Sequence, residues 1–144
     1  KINSNFNNIN LVLSPAIGGI VVGYEIGKQL NVKTIFAERS NGKLLLRRGF
    51  NITSESNVLI VEDVITTGKS ALECTKLISI NKANLVGYAC IIDRSTNKIF
   101  KDHELVSQLK INIETYEENN LPNELENIKI VEPGSRNIKK WKKF

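Results

Sequence analysis

The run Val58-Leu59-Ile60-Val61 constrains this chain more than any other feature. Consecutive β-branched and aliphatic residues leave no polar face, so the strand they form must be covered on both sides. In a chain of 144 residues, enough for one proper core, the covering layers are helices. The flanking sequence supplies them. Helices are predicted from about Ile20 to Leu30 and from about Lys69 to Ile80, with further strands at Leu11–Leu13, Thr34–Ala37 and Leu85–Ile92. Asn41-Gly42 marks a hairpin flanked by Arg39, Lys43, Arg47 and Arg48. Leu109, Ile111 and Ile113 alternate like a half-buried strand, and the Asn-rich stretch before Leu11 is weakly patterned. Strands alternating with helices give an α/β fold with a central, mainly parallel sheet flanked by helices. Ligands of such sheets gather at the carboxyl ends of the strands, here the loops after Leu13, Val61 and Ile92.

The residues after Val61 carry chemistry. Glu62 and Asp63 stand at the strand's end, and Val64-Ile65-Thr66-Thr67-Gly68-Lys69-Ser70 leads into the helix. Backbone N–H groups at a helix start are unpaired and sit at the positive end of the dipole, which suits a phosphate. Thr66, Thr67 and Ser70 add hydroxyl donors, and Gly68 admits close backbone approach. Two carboxylates would repel a phosphate unless they accept hydrogen bonds from something else, and the diol of a ribose fits that need. Gly68-Lys69-Ser70 resembles the end of an ATP-binding P-loop, but that motif requires a glycine where Asp63 stands, so the P-loop reading fails. A plain helix cap at Thr66-Thr67-Gly68 leaves the carboxylate pair unexplained.

Composition narrows the class. With 41% apolar and 24% charged residues the chain is ordinary globular material. It shows neither an apolar run of membrane-span length nor a signal-peptide pattern, so a cytoplasmic protein with no membrane partner is expected. Cys74 and Cys90 lie in apolar stretches without partners at ligand spacing and read as core thiols. The net charge of +5 resides in Arg136, Lys139, Lys140, Lys142 and Lys143; without them basic and acidic residues balance at 15 each. This tail could touch a nucleic-acid backbone but reads first as solvated. The chain has no methionine and begins at Lys1, the mark of a processed, truncated or fragmentary sequence.

Val58 to Ser70 resembles the phosphoribosyl diphosphate (PRPP) signature of type I phosphoribosyltransferases. The wider chain resembles their orotate branch, through Ser14-Pro15-Ala16-Ile17-Gly18-Gly19, Glu38-Arg39, Leu46-Arg47-Arg48-Gly49-Phe50, Ile92-Asp93-Arg94-Ser95 and Glu132-Pro133-Gly134-Ser135-Arg136. The resemblance implies a type I phosphoribosyltransferase fold with a flexible β-hairpin loop. It implies transfer of phosphoribose from PRPP to orotate, with Mg²⁺ bound mainly through PRPP and no metal site in the protein. By similarity, Glu62 to Ser70 bind PRPP, with Glu62 and Asp63 on the ribose hydroxyls and Thr66 to Ser70 on the 5′-phosphate. Ser14, Pro15, Ala16, Ile17, Gly18 and Gly19 form the pyrophosphate loop. Arg94 and Thr66 seat orotate, with a salt bridge to Asp93 as the ordinary alternative for Arg94. Asp63, Lys43 and Arg39 are the candidate catalytic residues, the latter two on a hairpin that reaches a neighbouring site in a homodimer; a solvated basic hairpin is the competing reading.

The same resemblance divides the chain into a remnant of an N-terminal segment (1–10), the phosphoribosyltransferase domain (11–136) and a basic tail (137–144). A chain without the family's full front segment is expected to be impaired. Many relatives carry a lysine at the position of Gly18, a histidine in the mobile loop and a Cys pair where this chain has Asn120-Leu121-Pro122-Asn123. Two alternatives stay open: a purine phosphoribosyltransferase, in which Arg94 would matter less, and a non-catalytic PRPP sensor whose tail binds RNA in a salt-dependent way.

Overall fold

The computed structural model describes residues 1–114, 116 and 120–129. Lys1–Ile113 form one compact unit. Its elements are α1 (Ile2–Asn5), β1 (Leu11–Pro15), α2 (Gly19–Leu30), β2 (Lys33–Ser40), β3 (Lys43–Leu46), β4 (Asn57–Ile65), α3 (Lys69–Ile80), β5 (Asn84–Asp93) and β6 (Leu105–Lys110). Beyond that unit, the described residues 120–129 contain turns closed by Leu125 N–H to Pro122 O (2.8 Å) and Ile128 N–H to Leu125 O (3.0 Å). The Glu132-Pro133-Gly134-Ser135-Arg136 segment and the tail 137–144 lie outside the described residues.

The six strands run in the order β3-β2-β1-β4-β5-β6, parallel except for the β2–β3 hairpin. β4 is fully covered, as its composition requires: Val58, Leu59, Ile60 and Val61 are all 0% exposed. Alternation sends Val58 and Ile60 to one core with Ala71, Cys74 and Ile78 of α3, and Leu59 and Val61 to the other, against Val22, Ile26 and Leu30 of α2. Within α2 the glycines recur every turn, and a Cβ at Gly23 would sit 2.0 Å from Ser14 Oγ, so the helix backbone lies directly on β1. Burial pushes the Cys74 thiol up to about 12 and the Cys90 thiol up to about 11, as befits core cysteines.

Two expectations need correction, and one weakly patterned segment gains a structure. β4 does not end at Val61 but continues to Ile65, because β5 goes on pairing through Glu62–Cys90, Val64–Ile92 and Ile65–Asp93. The last strand is Leu105–Lys110 rather than the 109/111/113 alternation: Val106 supplies its burial, and Leu109 is 51% exposed at an open sheet edge. The Asn-rich start is structured. α1 delivers Phe6 into the second core against Gly87, and Lys1 Nζ donates to the Ser107 and Gln108 carbonyls at 3.1 and 3.2 Å.

The crossovers leaving β1 and β4 pack on opposite faces of the sheet, so the two neighbouring strands diverge into a crevice at their carboxyl ends. That is the topological switch point. β1 stops pairing with β4 at Leu13–Ile60, which leaves the later residues of β4 open toward the loop after β1.

Candidate active site

A cavity of about 250 Å³ occupies this crevice. One wall is the loop after β1 (Pro15, Ala16, Gly18, Gly19); the other is Glu62, Asp63 and Val64 together with Thr66 to Ser70. The Ala16–Ile17 peptide is cis. Gly18 already has helical backbone angles, so its need is space: a Cβ there would lie 2.2 Å from Asp63 Oδ2. The two walls therefore meet at Gly18 and Asp63. Asp63 stays exposed, with Oδ1 accepting from the Val64 N–H at 2.9 Å.

Gly68 opens α3 at φ +69, a conformation that favours glycine, and a Cβ would strike Ile99 Cγ2 at 2.7 Å. The N-cap Gly68 has no side chain to cap α3, Thr67 Oγ1 takes the Lys69 N–H only at a long 3.4 Å, and no acidic residue occupies the first turn. The helix start thus presents backbone donors and positive dipole to the cavity, with Lys69 beside them. Glu62 is only 8% exposed, and burial, helped by the neighbouring Asp63 charge, pushes its carboxyl up to about 7.

The sequence matches the phosphoribosyl transferase domain over residues 1–127. It is 45% identical over 130 residues to the orotate phosphoribosyltransferase of Chlorobium phaeobacteroides, spanning 90% of this chain and 67% of that protein. It is 46% identical over 131 residues to that of Caldicellulosiruptor saccharolyticus, spanning 91% and 69%. The chain belongs to the phosphoribosyltransferase family, in its orotate branch. Its fold is also that of the adenine phosphoribosyltransferase from Thermoanaerobacter pseudethanolicus (TM-score 0.64, 15% identity, covering 72% of this chain and 71% of that one), a likeness of fold alone.

In this orotate-branch phosphoribosyltransferase not every expected site residue faces the cavity. Ser14 is 0% exposed, its Oγ without a hydrogen bond among the described residues; Ile65 is 1% exposed; Ile17 points to solvent. None of the three lines the cavity. Arg94 does not line the cavity either; it is half-buried, and its backbone N–H donates to Ile65 O at 2.8 Å, one residue before Thr66. It does not pair with Asp93. That carboxylate holds Lys110 Nζ at 3.2 Å and the Ser95 N–H at 2.8 Å. Burial alone would raise the Asp93 carboxyl, but the hydrogen bonds from Ser95 and Lys110 outweigh it and hold it below the usual range. Arg94 Nε is buried without a hydrogen-bond partner among the described residues.

The hairpin forms as expected, with Ser40 opposite Lys43 and both Asn41 (φ +48) and Gly42 (φ +78) left-handed. Its cations are not collected at the cavity. Arg48 and Arg47 pair with Glu38, at 2.7 and 3.7 Å, while Arg39 turns to α3 and pairs with Glu73 at 2.9 Å. Sequence reasoning missed Glu73. Its signal was an acid one turn after Lys69, on the helix next to a basic hairpin.

Proposed function

We propose that this chain transfers the 5-phosphoribosyl group of PRPP to orotate, giving orotidine 5′-phosphate and diphosphate, a step of pyrimidine biosynthesis. The observation that carries the reading is the crevice in which a glycine-opened helix start, two carboxylates and a glycine-bearing loop meet, in a chain 45–46% identical to orotate enzymes. Thr66 to Ser70 take the 5′-phosphate at the α3 N-terminus, and Glu62 and Asp63 accept from the ribose hydroxyls. The Pro15–Gly19 backbone lies along the diphosphate. Arg94, whose buried Nε has no hydrogen-bond partner among the described residues, pairs with the orotate carboxylate, and Thr66 helps seat the ring.

The C1–oxygen bond of PRPP breaks with its electron pair leaving on diphosphate, and a ring nitrogen of the orotate anion forms the new bond to C1. Positioning and cations aimed at the leaving group lower the barrier. Lys43 and Arg39 are assigned to that charge, in a homodimer whose hairpins serve neighbouring sites. Among the described residues no three His, Cys, Asp or Glu side chains cluster to hold a metal; Glu62 and Asp63 are the carboxylates at the cavity. Mg²⁺ is assigned to the diphosphate of the substrate, where it would neutralise charge. No described helix is long and apolar enough to cross a membrane, and the reading is of a cytoplasmic enzyme without a nucleic-acid partner.

The test is loss of orotate absorbance with PRPP and Mg²⁺. Turnover should fall by roughly a hundredfold or more in Asp63→Asn, and Arg94→Ala should lose orotate while sparing PRPP binding. Faster consumption of adenine or hypoxanthine than of orotate would overturn the choice of base.

A further inference from the structure

Glu73 of α3 holds the hairpin through Arg39. Its Oε2 accepts from Arg39 Nη1 of β2 at 2.9 Å. The same guanidinium nitrogen donates to Gly42 O at 2.7 Å, so Arg39 is spent inside its own chain. Lys43, on the same hairpin, has no ion-pair partner among the described residues. Glu73 also feels Lys69, one turn earlier on α3 and at the phosphate cradle. It thus stands between a cation of the cradle and a cation assigned to the leaving group.

We propose that Glu73 is a positioning residue that parks Arg39, so that a diphosphate must displace the Glu73 carboxylate before it can recruit this guanidinium. The inference rests on the assignment of Arg39 to the diphosphate. The pair is 41% and 21% exposed on its two sides, so it is weak enough to be exchanged for a diphosphate with far more charge. Leu44 is buried in the core it shares with Ala71, Cys74 and Ile78 of α3, so the hairpin stays packed on the helix when Arg39 leaves. Parking then changes the aim of one side chain, not the fold.

Glu73→Gln isolates the charge: it keeps the side chain's size, its oxygen acceptor and a good helix former at the position. Calorimetric titration of the full chain with inorganic diphosphate, PRPP and ribose 5-phosphate reads the result. Glu73→Gln should tighten diphosphate and PRPP by roughly threefold and leave ribose 5-phosphate unchanged. In an Arg39→Ala background the same substitution should gain nothing. Equal tightening of ribose 5-phosphate would mean a general field effect on the cradle and would overturn parking. So would a gain that survives Arg39→Ala, or no gain at all while Arg39→Ala weakens diphosphate. If Arg39→Ala leaves diphosphate affinity at the parent value, the assignment of Arg39 falls and parking falls with it. Glu73→Ala, with melting curves for each variant, separates these outcomes from loss of the hairpin.

Discussion

The proposed phosphate cradle at the start of α3 and the β2–β3 hairpin are both assigned to ligand in the proposed function, but they are made differently. The cradle is mainly backbone: a helix start opened by a left-handed Gly68, and a glycine-spaced loop opposite. Nothing in it has to choose a partner. The hairpin is charge on long side chains, and three of its four cations are already paired within the chain, Arg39 with Glu73 and Arg47 and Arg48 with Glu38. A backbone site is ready before the ligand arrives; a site of exposed ion pairs must be rearranged by it. The first should therefore fail sharply when altered and the second by degrees.

The sharpest break is Gly68→Val. A β-branched residue at φ +69 is strained, and its Cβ would meet Ile99 Cγ2 at 2.7 Å. Displacing the cradle by about an ångström should weaken ribose 5-phosphate binding by roughly a hundredfold, with circular dichroism still reporting a folded sheet. Parent-like affinity would mean that the helix start does not hold the phosphate.

Next comes pH, which should act on the cradle wall and not on the hairpin. The Glu62 carboxyl is pushed up from 4.5 to about 7, mainly by burial. In that window the folded chain holds a proton that the unfolded chain has released. Glu62 thus favours folding at low pH, and that contribution is lost as pH rises through about 7. Hydrogen bonds from ribose hydroxyls favour the ionised form, so PRPP binding should release a proton and tighten between about pH 6 and 8, by up to roughly tenfold per unit at the acid end. Phosphate ionisation overlaps this range, so the measurement is the ratio to Glu62→Gln, which should lose the dependence. A ratio flat in pH would rule out Glu62 as the ribose acceptor.

The same contrast explains what was legible in the sequence. Val58 to Ser70 announced the cradle because apolar continuity, adjacent carboxylates and a Gly at a helix start are local patterns with local physical causes. β4 ran past Val61 all the same, since Glu62 to Ile65 are held in the strand by β5, a partner invisible from the segment itself. Phe6 was missed for a similar reason: an Asn-rich stretch offers no periodicity, and its burial depends on the space above Gly87, far along the chain. At the hairpin, Asn41-Gly42 fixed the turn, but the pairing of Arg39 with Glu73 crosses from β2 to α3. Register and turn type are short-range; the aim of a long charged side chain is not.

A milder change tests Lys43, the hairpin cation with no ion-pair partner among the described residues. Lys43→Ala should raise the KM for PRPP by a few fold, on the order of a single exposed charge, while ribose 5-phosphate binding stays unchanged. Weakening of both ligands alike would move Lys43 from the diphosphate to the general field around the cradle.

The smallest effect should be Asn41→Ala. Asn41 holds φ +48 in the two-residue turn, a conformation that costs alanine about 1 kcal/mol more, and its neighbour Gly42 already carries the stricter position at φ +78. The melting temperature should drop by only a few degrees, with ribose 5-phosphate affinity untouched. Diphosphate affinity should fall with it only to the extent that the turn aims Lys43, which sits immediately after Gly42. If Asn41→Ala weakened ribose 5-phosphate as strongly as diphosphate, the hairpin and the cradle would be one cooperative unit, and the distinction between a preformed site and a recruited one would fail.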